Sequence, residues 1–151
     1  MKPIVIALSL LLPSTLFVTP AFGAECPSQS IAELKSKFEA AFRSKDRVAL
    51  LSLFNWLSVE PEFRVRMESD LSGMLSKELL RTELRDASLA ETDAKSLESR
   101  GLYLNVIPLS TLYFERSVGP DPREKTGGQL AIGRLGNCFM LGMYAKMKVS
   151  K

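Results

Sequence analysis

The chemistry open to this chain rests on a few side chains. Trp56, the single tryptophan, offers a stacking face, and Tyr103, Tyr113 and Tyr144 offer phenolic hydroxyls. Asp46, Glu60, Asp70 and Glu115 are the carboxylates that stand beside apolar stretches. A carboxylate buried against a tyrosine has its pKa raised by desolvation and serves as a general base. Trp56, Tyr113 and Tyr144 are therefore the candidate ligand-binding residues. The structural alternative for each is an aromatic of the core or the sheet face. For Asp46 it is a helix N-cap, and for the other three carboxylates a solvated surface charge.

The chain lacks histidine. That removes imidazole acid–base chemistry, Ser-His-Asp and Cys-His nucleophile pairs, and His-ligated metals. Cys26 and Cys138 are too far apart in sequence for a zinc knuckle or a Cys-x-x-Cys redox pair. Lys125-Thr126-Gly127-Gly128 does not have the spacing of a phosphate-binding loop and leads toward a strand, not a helix. No serine after residue 23 is followed by lysine three positions later, and no Asp/Asn series has calcium-loop spacing. No catalytic residue, metal site or cofactor is assigned.

Residues 1–23 read as a signal peptide. Lys2 supplies a positive start, Ile4 to Leu12 an apolar stretch, and Pro13 breaks a long helix. Cleavage after Gly23 places Ala21 and Gly23 at the two small-residue positions. The alternative is an uncleaved anchor, because Pro3 to Phe22 has about the ~20 residues of a membrane span. Nothing after it reads as a span. Removal takes one cation, Lys2, and no acid from a net charge of +3. The remaining charges are near balance and interspersed, which gives no electrostatic case for nucleic acid. The expected location is periplasmic or secreted. In an oxidising compartment Cys26 and Cys138 can pair, closing a loop worth up to about 4.7 kcal/mol, with two free thiols as the alternative.

Charged residues at 25% and apolar residues at 46% suit a folded chain, so 24–151 is read as one domain. Ser30-Ile31-Ala32-Glu33 is a capping box, followed by the stripe Ile31, Leu34, Phe38, Ala41 and Phe42 of a first helix. Asp46 caps a second helix over Arg47 to Phe54, apolar nearly all round and expected to be buried. Pro61 opens a third, with Phe63, Met67, Leu71, Met74 and Leu75 on one face. Leu80 to Arg85 alternates as a half-exposed strand, with a continued helix as the rival. Glu91 to Arg100 is a polar connector, with one helical turn as the alternative. Leu109 to Arg116 is a strand, and Val118 to Gly128 an exposed loop. Gln129 to Leu135 and Cys138 to Met147 form a hairpin about Gly136-Asn137. Its last strand is apolar on both faces, so one face needs a cover: a partner subunit, the N-terminal tail drawn in by Cys26, or a ligand.

The stretch FEAAFRSKDRVALLSLFNW, Phe38 to Trp56, resembles the opening of NTF2-like (SnoaL-like) domains. The segments NVIPLSTLYFER and IGRLGNCFML resemble small exported bacterial proteins in which an Asn-x-x-Pro segment enters a strand and a Gly-rich hairpin closes the sheet. The resemblance implies an α+β cone with a cavity and a tendency to dimerise through the sheet. The pocket histidine of many such enzymes is missing, so no family active-site residue is carried across.

The expected fold is α+β: three N-terminal helices on a curved antiparallel sheet of about four strands, ending in a β-hairpin. The expected function is that of a small exported protein acting by binding or protein–protein contact and not by catalysis. Its partner is a second copy met through the sheet or an envelope protein. The alternatives are a small-molecule pocket or small enzyme using a carboxylate with Trp56, Tyr113 and Tyr144, and a secreted inhibitor or effector whose contact is the Val118–Gly128 loop.

Overall fold

The structure, a computed structural model, describes residues 26–146 except Pro120 and Pro122. The leader at 1–23 and Met147, the expected end of the last strand, lie outside the described residues. The elements run α1 (Ile31–Ser44), α2 (Arg47–Ser52), α3 (Pro61–Met74), β1 (Leu79–Arg85), α4 (Ser88–Glu98), β2 (Leu102–Leu104), β3 (Pro108–Ser117), β4 (Lys125–Leu135), β5 (Cys138–Leu141) and β6 (Tyr144–Lys146). The fold is α+β. A curled antiparallel sheet has the order β1-β3-β4-β5, and β2 pairs with β6 in a separate two-stranded ladder.

Local signals set the first two helices. The Ser30 hydroxyl accepts from the Glu33 N–H at 3.1 Å. The Glu33 carboxylate reaches one residue further back than a reciprocal box requires and accepts from the Gln29 N–H at 2.8 Å. Lys45 closes α1 in the left-handed region (φ 57°), and Asp46 caps α2 by accepting from the Ala49 N–H at 2.9 Å. The expectation that α2 is buried all round is corrected. Its only fully buried residue is Leu50, and Val48 is 79% exposed. A six-residue helix offers one face to the core, so its apolar excess faces out.

The principal core lies between the helices and one face of the sheet. Leu34, Phe38 and Phe42 of α1 meet Leu112 and Phe114 of β3, Ile132 of β4 and Leu141 of β5. The rings of Phe38, Phe42 and Phe114 stand 5.6–6.4 Å apart in tilted pairs. Each such buried side chain is worth about 1.5–3 kcal/mol over an exposed one. Because strand side chains alternate, Arg81, Glu83 and Arg85 of β1, Thr111, Tyr113 and Glu115 of β3, and Gln129 and Ala131 of β4 share the opposite, outer face.

Three further expectations are corrected. Ser88–Glu98 is a full helix, α4, and not a polar connector. It covers part of the outer face, with Ala90 packed against Val106 and Ala131. β4 begins at Lys125, inside the expected loop. Gly127 and Gly128 are there because the rings of Tyr113 and Phe114 occupy the space of their missing side chains: a Cβ would fall 2.7 Å from Tyr113 Oη and 2.5 Å from Phe114 Cζ. The final strand breaks at Gly142-Met143 into β5 and β6. Its second face is covered by the 104–106 segment, since a Cβ on Gly142 would meet Val106 Cγ2 at 2.5 Å. The N-terminal tail contributes on the other edge, where the Phe139 N–H donates to Ser28 O at 2.9 Å.

Cys26 and Cys138 form a disulfide with Cα atoms 5.3 Å apart. Gly136 at φ 60° supplies the left-handed residue of the β4–β5 turn. No helix of the described residues is long and apolar enough to cross a membrane.

Candidate functional site

Trp56, Tyr113 and Tyr144 do not line one pocket. Trp56 sits on the helix side, 6.0 Å from the Phe54 ring, with the Arg64 guanidinium 5.0 Å from its centroid. Its Nε1–H donates to Leu51 O at 2.8 Å, so it closes the end of α2. Tyr113 lies on the outer face under the Arg85 guanidinium, 3.7 Å from the ring centroid. Tyr144 is on β6, half-buried, and its hydroxyl is pushed up first by burial and then by the Asp93 carboxylate.

The one tyrosine–carboxylate pair among the candidates is Tyr113 with Glu115. Tyr113 Oη donates to Glu115 Oε1 at 3.0 Å, and Lys125 Nζ stands 3.0 Å from Glu115 Oε2. Lys125 and then Tyr113 hold the Glu115 carboxyl below the ordinary carboxylate range. A general base near neutral pH needs the opposite shift. The neighbouring Arg81–Glu83 and Arg85–Glu83 pairs, 3.0 and 3.1 Å, extend this charged ladder along the sheet surface. The remaining carboxylates are structural: Asp46 caps α2, and Glu60 pairs with Lys146 at 2.8 Å. Asp70 faces a groove between α3 and the sheet.

The surface with the clearest functional geometry was not among the sequence candidates. An open groove of about 400 Å³ lies at one end of the sheet, bordered by Leu57, Ile107, Leu135 and Arg134. Ile107 is 81% exposed, Leu57 58% and Leu135 41%, and Leu109 beyond the groove is 50% exposed. Exposed apolar groups gathered on one rim mark contact surfaces, whereas isolated ones do not.

A pair of asparagines holds this rim in place. Asn55 Nδ2 donates to Asn105 O at 2.9 Å, and Asn105 Nδ2 donates back to Asn55 O at 2.7 Å and to Leu57 O at 3.0 Å. Asn105 Oδ1 accepts from the Met143 N–H at 2.8 Å, and Asn55 Oδ1 from the Leu57 N–H at 3.1 Å. The two backbones bond in addition to Leu141 and Met143. Asn55 is buried, so its bonds run in a low-dielectric setting. Ser58, directly after Leu57, is in the left-handed region at φ 62°. The rim residues are thus displayed by backbone that is tied to the sheet.

No known family model matches the chain, and no match is found among curated proteins or solved structures.

Proposed function

We propose that the protein is an exported binding protein that acts by contact and not by catalysis, and that the rim of Leu57, Ile107, Leu109 and Leu135 is its contact surface. The observation that carries this reading is that Leu57, Ile107 and Leu135 stand exposed around one groove, with Leu109 exposed just beyond it, beside backbone tied by the Asn55–Asn105 clamp. Preorganised apolar groups lose little entropy on binding. Their combined exposed area is on the order of a few hundred Å², the scale at which a patch marks an interaction site. Arg134 on the same rim makes no ion pair among the described residues. The partner then presents an apolar ridge with a carboxylate beside it. Export is supported by the leader-like residues 1–23 and by the Cys26–Cys138 disulfide, which belongs to an oxidising compartment.

An envelope protein is the favoured partner, and a second copy of the chain is the rival. The test compares wild type with a Leu57→Asp/Ile107→Asp variant in affinity capture from envelope extract, alongside light scattering of the purified protein. Partner recovery falls at least tenfold in the variant while its melting temperature stays within a few degrees. Equal recovery by both proteins refutes the rim as the contact. A concentration-dependent dimer that the variant abolishes replaces the envelope partner with a second copy.

A further inference from the structure

We propose that α4 is a cover that opens locally, exposing the outer face of the sheet while the inner core stays folded. The inference does not rest on the rim contact, although α4 packs on Val106, the neighbour of the rim residue Ile107.

The two helix–sheet contacts differ in how firmly they are made. α1 buries Leu34, Phe38, Ala41 and Phe42 against the sheet. α4 buries Ala90 alone, and its cluster consists of Ala90, Val106 and Ala131 with Leu104 at the edge. α4 has no side-chain cap at its N-terminal residue, Ala87. Among the described residues its polar tie to the sheet is one exposed hydrogen bond, from the Gln129 amide to the Asp93 carboxylate. Segments with few buried apolar contacts open at far lower free energy than the core.

The covered surface is not built as a permanent interior. Thr111 faces it beside its cross-strand neighbour Ala131, and Thr111 is fully buried. Its Oγ1 has no hydrogen-bond partner among the described residues. Water satisfies that hydroxyl when α4 lifts, so the orphan penalises only the closed state and shifts the opening equilibrium by roughly 5- to 150-fold. A valine of the same shape would avoid the penalty. Tyr113 and Gln129 lie next to Thr111 and Ala131 along the same face, and Tyr144 is near enough to feel Asp93. Opening therefore uncovers the Thr111 hydroxyl and the Ala131 methyl and frees the Gln129 amide from Asp93. The ends of α4 allow the motion: Gly101 follows it at φ 72°, and the Asp86 carboxylate turns the chain before it by accepting from the Ser88 N–H at 2.9 Å.

Native-state hydrogen exchange on the oxidised chain, read by peptide mass spectrometry, tests this directly. The amides of 88–98 exchange at least 100-fold faster than those of α1, with little dependence on low denaturant. Thr111→Val slows exchange in α4 at least fivefold. Gln129→Ala speeds it and leaves α1 unchanged, which keeps the test valid if the valine variant folds poorly. Exchange of α4 in step with α1 across the denaturant series overturns the proposal, as does a Gln129→Ala variant that accelerates both helices equally. Thr111→Val with unchanged α4 exchange also overturns it, since the orphaned hydroxyl would then carry no penalty.

Discussion

Replacing Asn105 by alanine removes three side-chain hydrogen bonds at once: those to Asn55 O and Leu57 O, and that from the Met143 N–H. Asn55 and Met143 are buried, so their freed carbonyl and amide groups have no ready access to water, whereas the Leu57 carbonyl does. At about 1–1.5 kcal/mol for each of the two buried bonds and less for the exposed one, the loss is about 3 kcal/mol. Urea unfolding followed by circular dichroism measures it, with an unchanged slope showing that the unfolded state is not altered. Asn105→Asp separates hydrogen bonding from packing. The ionised carboxylate still accepts from Met143 but faces two carbonyl oxygens that it cannot serve, so it is disfavoured and its pKa is raised in the folded state. The resulting deficit is full above that raised pKa and shrinks as pH falls through it, when the acid regains one donor. A loss below 1 kcal/mol for the alanine variant, or a deficit in the aspartate variant that does not shrink in acid, refutes the view that the clamp holds the rim.

Other outcomes follow from the same contacts. Gly133→Ala sets a Cβ 2.7 Å from the Ile107 carbonyl oxygen and against the Val106 side chain, so it destabilises by about 1–3 kcal/mol in thermal unfolding and shifts the rim resonances in NMR spectra; a neutral result would mean that the 106–107 segment is free to move away. A Cys26→Ser/Cys138→Ser variant loses about 2–4 kcal/mol of stability in chemical denaturation. It keeps the start of α1, because the Glu33 bonds to Gln29 and Ser28 do not depend on the bridge. Glu33 is held down to a pKa of about 2, chiefly by Lys37 and then by the Gln29 N–H. A depressed folded pKa contributes stability that is present above the ordinary value of 4.5 and is lost as pH falls toward 2, so Glu33→Gln flattens that part of the stability–pH curve measured by urea titration.

The legible parts of this fold are those specified by neighbours in sequence. Ser30, Glu33 and Asp46 announce the helix starts because a cap spans only a few residues. The strand of Leu79–Arg85 and the Gly136-Asn137 turn are visible for the same reason. What was missed depends on distant partners. α4 is rich in small and polar residues and buries only Ala90, so its sequence resembles a connector. Gly127 and Gly128 look like loop residues, yet their role is to admit two rings from the neighbouring strand β3. The Asn55–Asn105 clamp joins residues 50 positions apart, and two lone asparagines leave no local pattern. Leu135 reads as an ordinary hairpin residue and Ile107 lies before the expected strand, and only the tertiary fold shows them side by side and exposed. Among the site candidates, Tyr113 meets the carboxylate of Glu115, a pairing the sequence did not single out, on an open face where the lysine lowers the pKa that a base would need raised.

The contact role of the rim is tested most directly by site-specific photo-crosslinking in the native compartment. A photoreactive residue is placed in turn at positions 107, 135 and 48, the last being an apolar site on α2 as exposed as Ile107. The rim account predicts one discrete protein adduct shared by positions 107 and 135 and absent at 48. No adduct from either rim position, or the same adduct from all three, contradicts it.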